Sequence, residues 1–128
     1  MATVNVMIVF DTAGIVADPS SAGNYIYMVA EDAYVQAGNG GSELQMANVK
    51  INDTLIWRTV AINGDTTIKL TTMTGSLLNN VTGGTANDDG SYSAKASAAG
   101  TNIQYAFKFT IDDQDYTVYQ WDPFVTIS

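Results

Sequence analysis

Ile103-Gln104-Tyr105-Ala106-Phe107-Lys108-Phe109-Thr110-Ile111 is the run from which the fold of this chain is read. Ile103, Tyr105, Phe107, Phe109 and Ile111 are apolar, and the residues between them are mostly small or polar. Successive side chains of a strand point to opposite faces, so this alternation predicts a strand with one buried face. Asp112-Asp113-Gln114-Asp115 interrupts the pattern, and the aromatic and β-branched run Tyr116 to Trp121 reads as the return arm of an antiparallel hairpin. Asp122-Pro123 ends that arm, because proline fixes φ and gives no N–H to a ladder. Phe124 to Ile127 reads as a short extension beyond it.

Upstream, Val4 to Phe10 is apolar on both parities and reads as an interior strand covered on two sides. Asp11 to Asn24, with Asp18-Pro19-Ser20-Ser21 and two glycines, reads as a long loop. Tyr25 to Val29 is the next strand. Tyr34 to Ala37 then leads into Gly38-Asn39-Gly40-Gly41, a turn whose Asn-Gly suits positive φ, with Ser42 to Val49 returning. Thr54 to Ile62 is a strand, and Asn63-Gly64 predicts a two-residue hairpin that returns through Thr66 to Met73. Gly75 to Gly100, rich in Gly, Ser, Ala, Asn and Thr, predicts one or two short strands such as Tyr92 to Ser97 among turns.

No window carries a capped stripe of helical period, so βαβ units and parallel pairing are not expected. About eight to ten short strands separated by turn signals predict an all-β fold, an antiparallel β-sandwich of Ig-like or jelly-roll connectivity. The expectation is one domain over residues 1–128, since a chain of this length buries roughly two-thirds of its unfolded surface.

Composition removes several function classes. Cysteine and histidine are both absent, so thiolate chemistry and Ser-His-Asp or Cys-His catalysis have no residues to work with. Thirteen acidic residues against five basic give a net charge of −8, which argues against nucleic acid or an anionic membrane as partner. Apolar runs such as Val6 to Phe10 are far too short to span a bilayer. Met1 to Asn5 lacks the basic start of a secretory signal, so a cytoplasmic location is expected. As pH falls toward the sequence pI near 4.1, charge repulsion fades and association should rise.

Each residue cluster has a structural reading and a chemical one. Paired carboxylates can act as acid and base, but Glu31 and Glu43 are the only glutamates and most aspartates sit in turn contexts, so no catalysis is expected. Asp112, Asp113 and Asp115 bunch at one turn and would offer Ca²⁺ hard oxygen ligands, but without the twelve-residue loop the turn reading prevails and no cofactor is expected. Gly38-Asn39-Gly40-Gly41 is no phosphate loop, since Glu43 follows and no helix does. Trp57 and Trp121 lie inside strands and read first as core; exposed, their rings beside Asp122, Asn39 or Arg58 would stack on a sugar. Arg58, the only arginine, is expected to pair with Asp122 or Glu43.

The ending Tyr119-Gln120-Trp121-Asp122-Pro123-Phe124-Val125-Thr126-Ile127 is similar to that of the bacterial AidA/PixA inclusion body protein family. Val6 to Asp11, Tyr27-Met28-Val29, Gly38 to Leu44 and Asp53 to Arg58 resemble the same family in the same order, whereas Gly75 to Gly100 departs from it. The resemblance implies a non-catalytic bacterial protein that accumulates late in growth or under quorum-sensing control, in some relatives as inclusions. The partner expected is a second copy of the chain, in a homodimer or higher oligomer. The competing expectation is a lectin-like sandwich that binds carbohydrate through Trp121, Asp122, Trp57, Arg58 and Asn39.

Overall fold

Alternation is strict in the first strand. Val4, Val6, Ile8 and Phe10 are buried while Met7 is 41% exposed, so β1 (Thr3–Phe10) is covered on one face and not on two as its composition suggested. The computed structural model describes residues 1–117 and 121–128. After β1 come β2 (Ile26–Ala30), β3 (Val35–Ala37), β4 (Gln45–Val49), β5 (Thr54–Ala61) and β6 (Ile68–Thr74). The rest are β7 (Val81–Ala86), β8 (Tyr92–Ala96), β9 (Gly100–Gln104), β10 (Ala106–Ile111), β11 (Gln114–Tyr116) and β12 (Phe124–Ile127).

The fold is an all-β sandwich. A five-stranded sheet in the order β2-β1-β5-β8-β7 packs its inner face on β10, which belongs to the sheet β11-β10-β6. The third sheet has the order β3-β4-β12-β9. Aromatic rings join the layers: Phe10 meets Phe109 at 4.9 Å between centroids, Trp57 meets Phe107 at 5.2 Å, and Tyr92 meets Phe107 at 5.3 Å. Burying each such ring contributes about 1.5–3 kcal/mol, with a further fraction from edge-to-face geometry.

The deciding run keeps its alternation but not its continuity. Ile103, Tyr105, Phe107, Phe109 and Ile111 are all buried, yet the strand divides at Tyr105: β9 pairs with β12, and β10 with β6 and β11. Tyr105 donates its backbone N–H to the Pro123 carbonyl (3.1 Å), and there the chain passes from one sheet to the next. The expected return arm begins as β11, antiparallel to β10; residues 118–120 of that arm, and of the family-like ending, lie outside the described residues.

Three expectations are corrected. Asn63-Gly64 does not close a hairpin, because both edges of β5 are already taken by β1 and β8; the chain crosses instead to β6, whose partner is β10. Parallel pairs do occur: β1 runs parallel to β5 and β12 to β4, and the long chain between the partners of each pair includes a strand of their own sheet, β2 in the first case and β9 in the second. Within the expected loop Asp11 to Asn24, Thr12–Ala17 forms a helix, α1, which buries Thr12 and Ile15 and is capped by Asp11 accepting from Gly14 N–H (3.2 Å). Pro19–Tyr25 follows as a 3-10 turn.

Asp53 fixes the start of the parallel pair. Only 4% exposed, it accepts hydrogen bonds from the backbone N–H groups of Ala2 (2.8 Å) and Lys50 (2.9 Å), while Thr54 N–H donates to the Ala2 carbonyl (2.9 Å). Burial alone would raise its pKa; those two N–H donors, with the charges of the N-terminus and Lys50, outweigh burial and hold it below its ordinary value.

Candidate functional site

A cleft of about 670 Å³ opens where three parts of the chain converge. The first is the 3-10 turn, which brings Ser20, Ser21, Gly23 and Asn24 to one wall. Asp11 N–H donates to the Tyr25 carbonyl (2.9 Å) and Ser21 N–H to the Asp18 carbonyl (3.1 Å), so the turn is tied at both ends. Its last residue, Tyr25, lies so close over Gly14 that any Cβ there would overlap the ring.

The second wall is Gly38, Gly41, Ser42 and Glu43. This loop is laid along the outer edge of β2: Gly40 N–H donates to the Met28 carbonyl (2.7 Å) and Met28 N–H to the Gly41 carbonyl (3.0 Å). Gly38 and Gly40 have φ of 74° and 93°, and a Cβ on Gly38 would come within 2.9 Å of the Glu43 carbonyl, so the path requires glycine. The loop thereby covers what would otherwise be an open sheet edge. The third part is Asp122, whose carboxylate accepts from Gln104 Nε2 (2.7 Å). Two residues on, Phe124 N–H donates to the Leu44 carbonyl (3.1 Å), tying the Asp122 segment to the Glu43 segment.

The lining is hydroxyl, amide, carboxylate and glycine backbone, with Glu43 and Asp122 as its only charges. It is an acidic, hydrogen-bonding concavity on a backbone already pinned to the sheet.

Of the five carbohydrate-binding candidates read from the sequence, Asp122 alone lines this cleft. Trp57 and Trp121 are 0% and 1% exposed, and donate their indole N–H groups inward to the Tyr105 hydroxyl (3.2 Å) and the Met28 sulfur (3.3 Å); both are core residues, and Trp121 with Asp122 and Gln104 also lines a separate hollow of about 340 Å³. Burial raises the Tyr105 phenol above its ordinary pKa, only partly offset by the bond from Trp57. Asn39 spends its side-chain oxygen on Ala30 N–H (3.1 Å), closing the β2 edge. Arg58 pairs with neither Asp122 nor Glu43: its guanidinium donates to Asn5 Oδ1, beside a hollow of about 280 Å³ that Glu31, Met7 and Val29 also line. Both expected mates sit in the cleft, whereas Arg58 projects from the outside of the five-stranded sheet.

Asp112, Asp113 and Asp115 are placed as turn residues at the β10–β11 connection and its return. Asp112 and Asp113 take positive φ (47° and 68°), and the Asp112 carboxylate accepts from Thr67 N–H (3.0 Å). Among the described residues no group of three or more carboxylates is placed to hold a metal. Ser20, Ser21, Asn24, Ser42 and Glu43 were not foreseen as site residues, since small polar residues in turns carry no signal beyond the turn itself.

The fold is that of a class of β-sandwich proteins with a solved example in the inclusion body protein PixA from Burkholderia cenocepacia J2315. That structure matches with a TM-score of 0.60 over 99% of this chain and 96% of that chain, at 13% sequence identity. The resemblance read from the C-terminal motif thus holds as a likeness of fold. The chain belongs to the family described as Domain of unknown function (DUF8788), whose model matches residues 2–117. Among curated proteins none matches the sequence.

Proposed function

We propose that the protein is a non-catalytic, self-assembling protein that accumulates to high concentration in the cytoplasm, and that copies meet through the outer face of the five-stranded sheet. One observation carries this reading: all thirteen carboxylates of the chain lie outside the five strands β1, β2, β5, β7 and β8. On a chain of net charge −8, the sheet carries only Arg58 and Lys95. Beside Arg58 and Asn5, its outward side chains include an apolar group: Met7 and Val29 are each 41% exposed and Val60 is 43% exposed. They are also contiguous, since Met7 stands opposite Val29 on one side and Arg58 on the other, while Val9 stands between Tyr27 and Val60.

An apolar patch on strands that carry no carboxylate, with Glu31 at its edge, is where repulsion between copies is weakest and burial gains most. A two-fold pairing of this face with itself gives a homodimer, and contact of the face with an acidic loop of another copy gives an open assembly. The name of the structural neighbour, an inclusion body protein, agrees with such packing.

Sedimentation velocity of the wild type and of the Val29→Glu, Val60→Glu double variant tests the reading. Concentration-dependent association is expected in the wild type and its loss in the variant. A wild type monomeric at every concentration, or a variant that associates equally well, would overturn it.

A further inference from the structure

We infer that the cleft between the 3-10 turn and the Gly38 to Glu43 loop is a saccharide-binding site that favours amino-bearing sugars. Its volume, about 670 Å³, lies within the roughly 300–1,000 Å³ of small-ligand sites. Such sites are usually lined by apolar groups, and this one is not. Ser20, Ser21, Asn24 and Ser42 present hydroxyl and amide groups that both donate and accept, and Glu43 and Asp122 accept. A ligand that satisfies this wall needs many hydroxyls and little apolar surface. That description fits a sugar and excludes a lipid or a flat aromatic cofactor.

Charge narrows the class. With two carboxylates and no Lys or Arg among the lining residues, phosphorylated, sulfated and acidic sugars are repelled. A metal is not the natural occupant either, because no group of three or more carboxylates forms among the described residues. An ammonium beside a hydroxylated ring gains charge-assisted hydrogen bonds from the same carboxylates. One Asp122 oxygen already accepts from Gln104, which orients the carboxylate, and among the described residues no hydrogen bond reaches the Glu43 carboxylate. The acceptors for an amine are therefore already in place.

The walls are also pre-organised. The loop is bonded to β2 through the Gly40 and Gly41 backbone at Met28 and through the Asn39 side chain at Ala30, and the 3-10 turn to Asp11 and Asp18, so little ordering is left for the ligand to induce. The lectin expectation survives in this form with a different residue set: Trp57, Trp121, Arg58 and Asn39 leave it, and Asp122 remains.

Titration of the ¹⁵N-labelled protein with glucosamine, its β-1,4-linked disaccharide, methyl glucoside and glucose 6-phosphate tests the site. Amide shifts are expected at Ser20 to Asn24 and Gly38 to Glu43 with both amino sugars, weaker ones with methyl glucoside, and none with the phosphate. Glu43→Gln, an exposed and isosteric change, should weaken glucosamine about tenfold, the loss of one hydrogen bond to a charged group, and change methyl glucoside far less. Ser20→Trp should block the cleft and abolish all shifts. The assignment is overturned by amino sugars that shift no cleft amide at tens of millimolar, or by binding that survives both variants. Cleft and outer sheet face share no residue, so failure here leaves the assembly reading standing, and the reverse.

Discussion

The two faces of one sheet carry similar side chains with opposite fates. Inward from β1, β2 and β5 point Ile8, Phe10, Met28, Leu55 and Trp57, each 0% exposed. Outward from the same strands point Met7, Val29 and Val60, each more than 40% exposed. The inner set interlocks with Phe107 and Phe109 of the opposing layer; the outer set remains open to solvent. Apolar content along these strands therefore exceeds what the core consumes. Stability resides on one face, and the proposed contact between copies on the other.

The largest effect is expected where the inner face is densest. Trp57 contacts Tyr92, Tyr105 and Phe107, so Trp57→Ala should lower unfolding free energy by about 3–5 kcal/mol, from lost burial plus the cavity it leaves. Urea denaturation measures it, and a loss below 1 kcal/mol would mean the inner face collapses around the gap, blurring the contrast between faces. Tyr105→Phe should cost less, about 1–3 kcal/mol, because it leaves the Trp57 indole N–H buried without its acceptor.

The contrast also depends on register. A slip of one residue between β1 and β5 would exchange the two faces, and the pairing of Thr3 with Thr54 is set beside Asp53. Asp53→Asn should cost on the order of 1–2 kcal/mol, since charged hydrogen bonds to two backbone N–H groups are weakened and one is lost. The Asp53 pKa is lower folded than its ordinary 3.8, so its stabilising contribution is present above pH 3.8 and disappears as pH falls through the folded value. Between neutral and acid pH the wild type should therefore lose more stability than Asp53→Asn does. Equal slopes in thermal melts across that range would show that Asp53 does not pin the register.

How far the sequence discloses this contrast differs from element to element. Burial on the run from Ile103 to Ile111 follows from side-chain period alone, because a strand turns each second residue to one face whatever sheet it joins. The break at Tyr105 does not, since changing sheets leaves the period intact. β1 reads as doubly covered for the reason that makes it informative: Met7 and Val9 are apolar yet face outward, and composition cannot separate a doubly covered strand from one with an unpartnered face. Asn63-Gly64 carries a hairpin signal that is local, whereas the competition of β1 and β8 for the edges of β5 is not. Helix α1, six residues long, is too short to show a helical period. The cleft was illegible except at Asp122, because its walls come from positions far apart in sequence and from residues that any turn would use.

The finest test applies one chemical change to each face. Valine and threonine are nearly the same shape, so exchanging them changes polarity with little change of volume. At Val6, 1% exposed, the added hydroxyl would be buried among apolar groups, and Val6→Thr should cost about 1–3 kcal/mol. At Val60 the hydroxyl reaches water, and Val60→Thr should stay within about 0.5 kcal/mol of the wild type. Its effect should appear instead in assembly, as a higher concentration needed for association in sedimentation velocity, because hydrating the patch makes its burial between copies less favourable. A Val60→Thr protein that is equally stable and associates as readily as the wild type would place the contact between copies elsewhere on the surface, and the outer apolar face would then be surplus without a use.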